Sequence, residues 1–313
     1  MLESPRLDAI VYRTGGNNPC YVSEHGGSMA RDMDFYQSLS KLRSLVREDL
    51  DSGCYPPASF RYGRPFATCV DTVLPLRDGE RPQQFFSCSY EAEDYRGRRG
   101  FVSFCPTNYL SNSSNALLDS FRALGEIIEA RYLDESMADL MRELPRTPFV
   151  TTFDLYDGRP SAREVSAIIQ RDEGSFVAFS PGLEPRSRAP DPYEALAGLE
   201  RVLAEDPSVA GGHILNAEPV FGSLGVQLSL RESFSTHRFL ISVAPCKNGT
   251  RYYRAYAPQA GVTSKSLTIE GAVHNIKDAI ALQFHGTALV DVENALRSRP
   301  ILTTARLGNE NNN

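Results

Sequence analysis

The chain has 313 residues, with 33 lysines and arginines against 39 aspartates and glutamates, so its formal net charge is -6. That charge argues against a protein that coats nucleic acid by bulk electrostatics. A hydrophobic content of 41% with 23% charged residues is typical of a globular protein and excludes wholesale disorder. We expect about two domains from the length, no membrane span and no secretory signal.

The cysteine pattern indicates a reducing compartment. None of the six cysteines is spaced from another as in a zinc half-site, and Cys69, Cys88 and Cys105 sit in apolar strand-like runs. We therefore predict buried, inert thiols in a cytoplasmic protein that uses no metal and no cofactor.

The first half of the chain reads as a β-rich segment between amphipathic helices. A glycine at position 53 is suited to end the first helix, and aromatic and β-branched residues enrich the strands. The predicted elements, in order, are a strand over 8–13, a helix from Ser28 to Gly53, strands over 66–74, 84–91 and 100–105, a helix opened by Ser113 or Ser114, and a helix over 136–143.

The second half starts again with a strand and has two clear helix starts. A capping box of Ser161 and Glu164 predicts one helix, and an N-cap followed by proline, at Asp191 and Pro192, predicts another. The predicted elements are a strand over 148–156, a helix from Ser161, a strand over 175–180, a helix from Asp191, strands over 226–230, 238–244, 251–257 and 261–267, a helix from Thr268, and a helix from Val290 to Leu296.

This element order predicts an α+β fold with mixed, largely antiparallel sheets and packed amphipathic helices. We place the boundary between two α+β domains, 1–145 and 146–313, where prolines follow a helix. We expect no internal repeat and no low-complexity tract.

No catalytic motif is present: the chain lacks the phosphate-binding glycine loops, the nucleophile elbow and the metalloprotease helix motif. The enzyme alternative is a site built from loops around His25 and Cys20, and the competing interpretation of His25 is a surface turn. His274 and Asp278, one helical turn apart, are a weak metal half-site or an exposed polar pair. We predict no catalytic residue.

Two clusters mix basic and aromatic residues. The first lies at the predicted hairpin tip after the strand 84–91, and the second follows the turn at 247–249. Such a surface suits nucleic acid, a protein interface or a plain solvated sheet. The candidate binding residues are Tyr95, Arg96, Arg98, Arg99, Lys247, Arg251, Tyr252, Tyr253, Arg254 and Tyr256.

Residues 238–286 resemble the core of the HicB antitoxin family. The match runs through RFLISVAP, the turn KNG, RYYRAYAP, GVTSKS and the helix LTIEGAVHNIKDAIALQF. The resemblance implies a β-β-β-α unit that works by binding a toxin partner, with no catalytic residues. The chain departs from the family in Ser266-Leu267-Thr268, where the family has Gly-x-Thr, and in its much greater length.

Together these patterns predict a non-enzymatic binding or assembly protein that self-associates as a homo-oligomer. Nucleic-acid association, as in RNA-binding proteins, and a viral or phage structural role fall within this class. A loop-built enzyme site and a HicB-like, partner-neutralising protein are the two alternatives.

Overall fold

The computed structural model describes residues 6–14, 20–25, 28–53, 62–93, 98–144, 149–154, 163–181, 183–205, 219–248, 250–297 and 299–307. The chain divides into two compact units, Met1–Gly158 and Arg159–Asn313. The predicted boundary at 145/146 precedes a strand, Phe149–Asp154, that pairs with the first strand of the first unit. The structural division therefore falls after that strand.

The first unit contains eight strands and three helices within its described residues. In chain order they are β1 (Arg6–Arg13), β2 (Tyr21–His25), β3 (Ser28–Asp32), α1 (Phe35–Asp51), β4 (Tyr62–Leu76), β5 (Gly79–Glu93), β6 (Arg99–Cys105), β7 (Leu110–Ser114), α2 (Leu117–Arg131), α3 (Met137–Glu143) and β8 (Phe149–Asp154).

The second unit contains the same number of strands and helices within its own described part. In chain order they are β9 (Arg163–Asp172), β10 (Ser175–Phe179), β11 (Arg186–Ala189), α4 (Pro192–Glu205), β12 (Val220–Ser229), β13 (Phe234–Asn248), β14 (Thr250–Ala257), β15 (Val262–Ser266), α5 (Ile269–Gln283), α6 (Leu289–Arg297) and β16 (Ile301–Leu307).

All the strand pairs described within each unit are antiparallel, which confirms the α+β class. In the first unit the pairing orders are β8-β1-β2-β3 and β4-β5-β6-β7. In the second unit they are β16-β9-β10-β11 and β12-β13-β14-β15. The last strand of each unit thus pairs with its first, and the four middle strands form a meander.

The two units repeat one architecture. Each runs through three strands, a helix, four strands, two helices and a final strand, with the same pairing order. From β6 to β8 the first unit aligns without gaps onto the second at an offset of 152 residues, which takes Leu117 to Ile269 and Asp154 to Arg306. The chain is an internal duplication, which corrects the expectation that it holds no repeat.

The repeat extends to individual hydrogen bonds and rings. The Asp134 amide donates to the Pro75 carbonyl, and in the second unit the Gly286 amide donates to Ser229. Phe85 stacks on Tyr132 with ring centroids 5.7 Å apart, and the equivalent rings, Phe239 and Phe284, stack at 5.5 Å. Few identical side chains survive between the copies, so the duplication is visible in contacts rather than in the sequence.

The helices cover equivalent sheets in the two units. Helix α2 packs on β4, β6 and β7, and α5 packs on β12, β14 and β15. Their buried faces correspond position by position. The matched buried pairs are Leu117 and Ile269, Ser120 and Ala272, Leu124 and Ile276, Ile128 and Ile280, Tyr132 and Phe284, and Leu140 and Val292.

Three predicted helix starts are wrong. The smallest error is at Ser113 and Ser114, which end β7, while the N-cap of α2 is Ala116. Residues Ser28–Asp32 form β3 rather than the first turn of a helix, and α1 begins only after Asp34, whose carboxylate accepts from the Gln37 amide at 2.9 Å. Arg163–Asp172 forms β9, with Ala167, Ile168 and Ile169 all buried. Consecutive buried residues mark a strand covered on both faces, which the three-to-four spacing concealed. Ser161 lies outside the described residues.

Candidate partner-binding face

The second of the predicted basic-aromatic clusters lies on β14. Alternation along the strand buries Ala255 and Ala257 on the side that α5 covers, and leaves Tyr252, Arg254 and Tyr256 half-buried on the other side. The opposite strand agrees, since Ser264 pairs with Ala255 and its hydroxyl donates to the Ala272 carbonyl of α5 at 2.8 Å. Tyr253 therefore belongs to the helix side and is separated from Arg254.

Other strands of the second unit, β15 beside β14 and β10 and β11 of a different sheet, add two cations and one more ring on the side opposite α5. Lys265 of β15 lies directly opposite Arg254, and its ammonium stands 5.5 Å from the centre of the Tyr252 ring. The Tyr256 ring meets Phe179 of β10 edge-on, with centroids 6.4 Å apart. The Arg186 guanidinium lies 5.4 Å from the centre of the same Phe179 ring. Cation–π contacts of this kind hold a charge over an apolar surface.

We call this set of six side chains the cationic face. Sequence analysis found three of its members from their alternation on one strand. It missed the other three because they come from strands that are distant or were not assigned. The members are Phe179, Arg186, Tyr252, Arg254, Tyr256 and Lys265.

The three cations of the cationic face carry no internal counter-ion in the part of the chain that the structure describes. Neither Arg186, Arg254 nor Lys265 has a carboxylate within ion-pair distance there. Arg188, two residues after Arg186, does have one, because it pairs with Asp172. The cationic face therefore presents net positive charge.

Two further titratable groups, Tyr256 of the cationic face and Cys246 opposite Tyr252, stay neutral at pH 7. Burial raises the pKa of the Cys246 thiol, against the opposing effects of Arg254 and Lys265. Burial also raises the pKa of the Tyr256 phenol, which Arg186 partly offsets. Cys246 thus supplies no thiolate nucleophile, and neither group neutralises the cations.

The remaining candidate residues are placed as follows. Arg98 and Arg99 are exposed where β6 begins, and Arg99 pairs with Glu93 across the predicted hairpin. Lys247 and Arg251 pair across β13 and β14, but their side chains lie outside the described part of the structure. The tip residues of the first cluster also lie outside it; these are Tyr95 and Arg96.

The structure does not bring Cys20 and His25 together. Cys20 precedes β2 and His25 is its last residue, so five extended residues put them about 16 Å apart. The Cys20 sulfur instead lies 3.4 Å from the Thr14 hydroxyl. His25 is buried within strand pairing rather than placed in a loop, so the two residues form no nucleophile–base pair.

His274 and Asp278 form an exposed contact of 3.4 Å on α5. No group of three or more histidine, cysteine or acidic residues able to hold a metal ion occurs among the described residues. None of the described helices is long and apolar enough to cross a membrane.

Comparison with protein-family models, with curated proteins and with solved structures finds no match to this chain. The β-β-β-α order that the HicB resemblance implies corresponds to β13, β14, β15 and α5. The same order recurs as β5, β6, β7 and α2, so it is part of the chain's own repeat.

Proposed function

We propose that this protein is a non-enzymatic binding protein that holds an acidic protein partner through the cationic face. One observation carries the proposal: three cations and three aromatic rings from two sheets of the second unit lie together, with no carboxylate beside the cations among the described residues. Tyrosine and arginine are the residues enriched in protein interfaces. Arginine also binds carboxylates through a planar pair of donors.

The duplication supports a specific role for this surface. At the equivalent positions of the first unit, Arg254 is replaced by Val102 and Lys265 by Ser113. Phe179 and its cross-strand partner Arg186 correspond to Glu24 and Met29, which also pair directly. The fold therefore does not require cations here, since the other copy of the same architecture forms without them.

The arrangement of the rings favours a protein over nucleic acid. Base stacking needs an open aromatic face. Lys265 already stands over the Tyr252 ring, and Tyr256 packs edge-on against Phe179. Nucleic-acid binding remains a prediction that the experiment below separates from this one, and self-association remains a separate prediction.

The experiment is a titration of fluorescein-labelled oligoglutamate, followed by fluorescence anisotropy, with the full-length chain. We expect salt-sensitive binding that weakens about tenfold in the double variant Arg186→Gln/Arg254→Gln, which removes two charges from the cationic face. The matched control is Arg201→Gln/Lys277→Gln, which removes two exposed charges from helices α4 and α5.

Equal losses in both double variants, or no binding by the wild type, would overturn the proposal. A labelled single-stranded oligonucleotide in a parallel titration tests the alternative. If it binds more tightly than oligoglutamate, and the cationic-face variant abolishes that binding, the partner is a nucleic acid and the proposal is wrong.

A further inference from the structure

Arg254 and Lys265 form a like-charged pair at one register position. They are directly opposed across the antiparallel strands β14 and β15. Side chains so placed have Cβ atoms about 4.5–5.5 Å apart, and like charges at that distance destabilise a sheet. Arg254 is half-buried, so water screens its charge less than it would on an open surface.

The groups around this pair do not neutralise its charge. Across β13, the residues opposite Arg254 and Tyr252 are Ala244 and Cys246, and the thiol is protonated because its pKa is raised. On the other side of Arg254 along the strand is Tyr256, which also stays neutral. The described neighbourhood therefore concentrates two positive charges without any negative one.

The first unit shows that the pair is dispensable for the architecture. The equivalent opposed residues are Val102 and Ser113, an uncharged pair at the same register of β6 and β7. The Arg254–Lys265 pair lowers stability, and the fold forms without it in the first unit. We therefore expect the two charges to serve a bound group.

We infer that Arg254 and Lys265 form a subsite for one oxyanion group of the partner, a carboxylate or a phosphate. The guanidinium fork of Arg254 supplies two parallel N–H donors, and the Lys265 ammonium supplies a third donor and a point charge. The anion would sit beside the Tyr252 ring, over which Lys265 is already held. This subsite rests on the proposed function and identifies the group that the cationic face recognises.

The first test measures thermal unfolding of the full-length chain at constant ionic strength. Sodium chloride is replaced stepwise by sodium phosphate in one series and by sodium glutarate in another. A group that binds only the folded state raises the midpoint, and we expect a rise of about 2 °C for an anion at ten times its dissociation constant. Phosphate also raises midpoints by its exclusion from protein surfaces, so the group is identified by the anion whose rise depends on Lys265.

The second test separates a subsite from a structural role of Lys265. In low-salt buffer free of oxyanions, Lys265→Gln removes the repulsion, so its midpoint should equal or exceed that of the wild type. In phosphate or glutarate the same variant should lose the anion-dependent rise. The control Lys277→Gln, an exposed lysine on α5, should retain it.

Two results would overturn the subsite. One is a lower midpoint of Lys265→Gln in oxyanion-free buffer, which would show that the Lys265–Tyr252 contact is structural. The other is an equal response to both anions and to chloride, which would show an adventitious ion effect only. If oligoglutamate binding still depends on Arg186 and Arg254 under those results, the proposed function stands without the subsite. If oligoglutamate binding does not depend on those arginines either, both the subsite and the proposed function are wrong.

Discussion

At the scale of single residues, the two copies place different side chains at the same strained backbone positions. Tyr109 and Gly261 both have positive φ, of 57° and 64°, in equivalent turns. Asp134 and Gly286 are a second such pair, at 63° and 68°, just after the second long helix of each unit. A side chain in this conformation is strained, whereas glycine is not. Each pair therefore shows which residue can be exchanged between the two units at one backbone conformation.

We predict that Asp134→Gly stabilises the protein, because it removes the steric cost of the left-handed conformation. The gain should be about 0.5–1 kcal/mol in the free energy of unfolding. Gly286→Asp should lower that free energy by a similar amount, and no atom outside its chain neighbours lies within 4 Å of the Cβ it would add. Urea denaturation measures both. Effects of the same sign would contradict the interpretation.

At the scale of elements, helix capping differs between the copies. The Thr268 hydroxyl accepts from the Gly271 amide at 3.0 Å and caps α5. The equivalent N-cap of α2 is Ala116, which makes no side-chain hydrogen bond. The reverse holds for the short helices, since Ser136 caps α3 while Ala288 takes its place before α6.

Thr268→Ala should therefore cost about 1 kcal/mol in the free energy of unfolding. Ala116→Thr on its own should raise the free energy of unfolding by part of that amount, because the backbone at Ala116 is already extended, as a cap requires. Chemical denaturation of the two single variants tests this. A neutral Thr268→Ala variant would show that tertiary packing, not the cap, fixes the start of α5.

The sequence predicted most elements where pattern and terminal signals agree. The helix begun by Asp191 and Pro192 and the helix from Thr268 are confirmed, as are the strands of both meanders except β7, which the sequence did not predict. The first helix was predicted too early because Met29 and Met33 fit a helical spacing by coincidence; both are exposed. The Asp34 cap was the signal that locates its true start.

The site could be predicted only in part. Alternation along one strand located Tyr252, Arg254 and Tyr256, because a period of two is a local property. Lys265 and Arg186 join them through strand pairing and sheet packing, which no local pattern encodes. The repeat also escaped sequence reading, since the copies preserve side-chain size and backbone conformation rather than residue identity.

At the scale of the whole molecule, the two units differ in net charge. Met1–Gly158 holds 17 basic and 23 acidic side chains, so it carries the entire net charge of -6, while Arg159–Asn313 holds 16 of each. On the equivalent of the cationic face, the first unit has Glu24, which accepts from the Tyr12 and Tyr109 hydroxyls at 2.7 and 3.3 Å. We therefore expect an acidic partner to bind the second unit more tightly than the first.

Isothermal titration of oligoglutamate into the full-length chain tests the account most directly, because it counts sites as well as measuring affinity. We predict one site per chain, which Arg186→Gln/Arg254→Gln removes and Arg201→Gln/Lys277→Gln retains. Two equivalent sites per chain, or a single site that survives loss of both cationic-face arginines, would contradict the account.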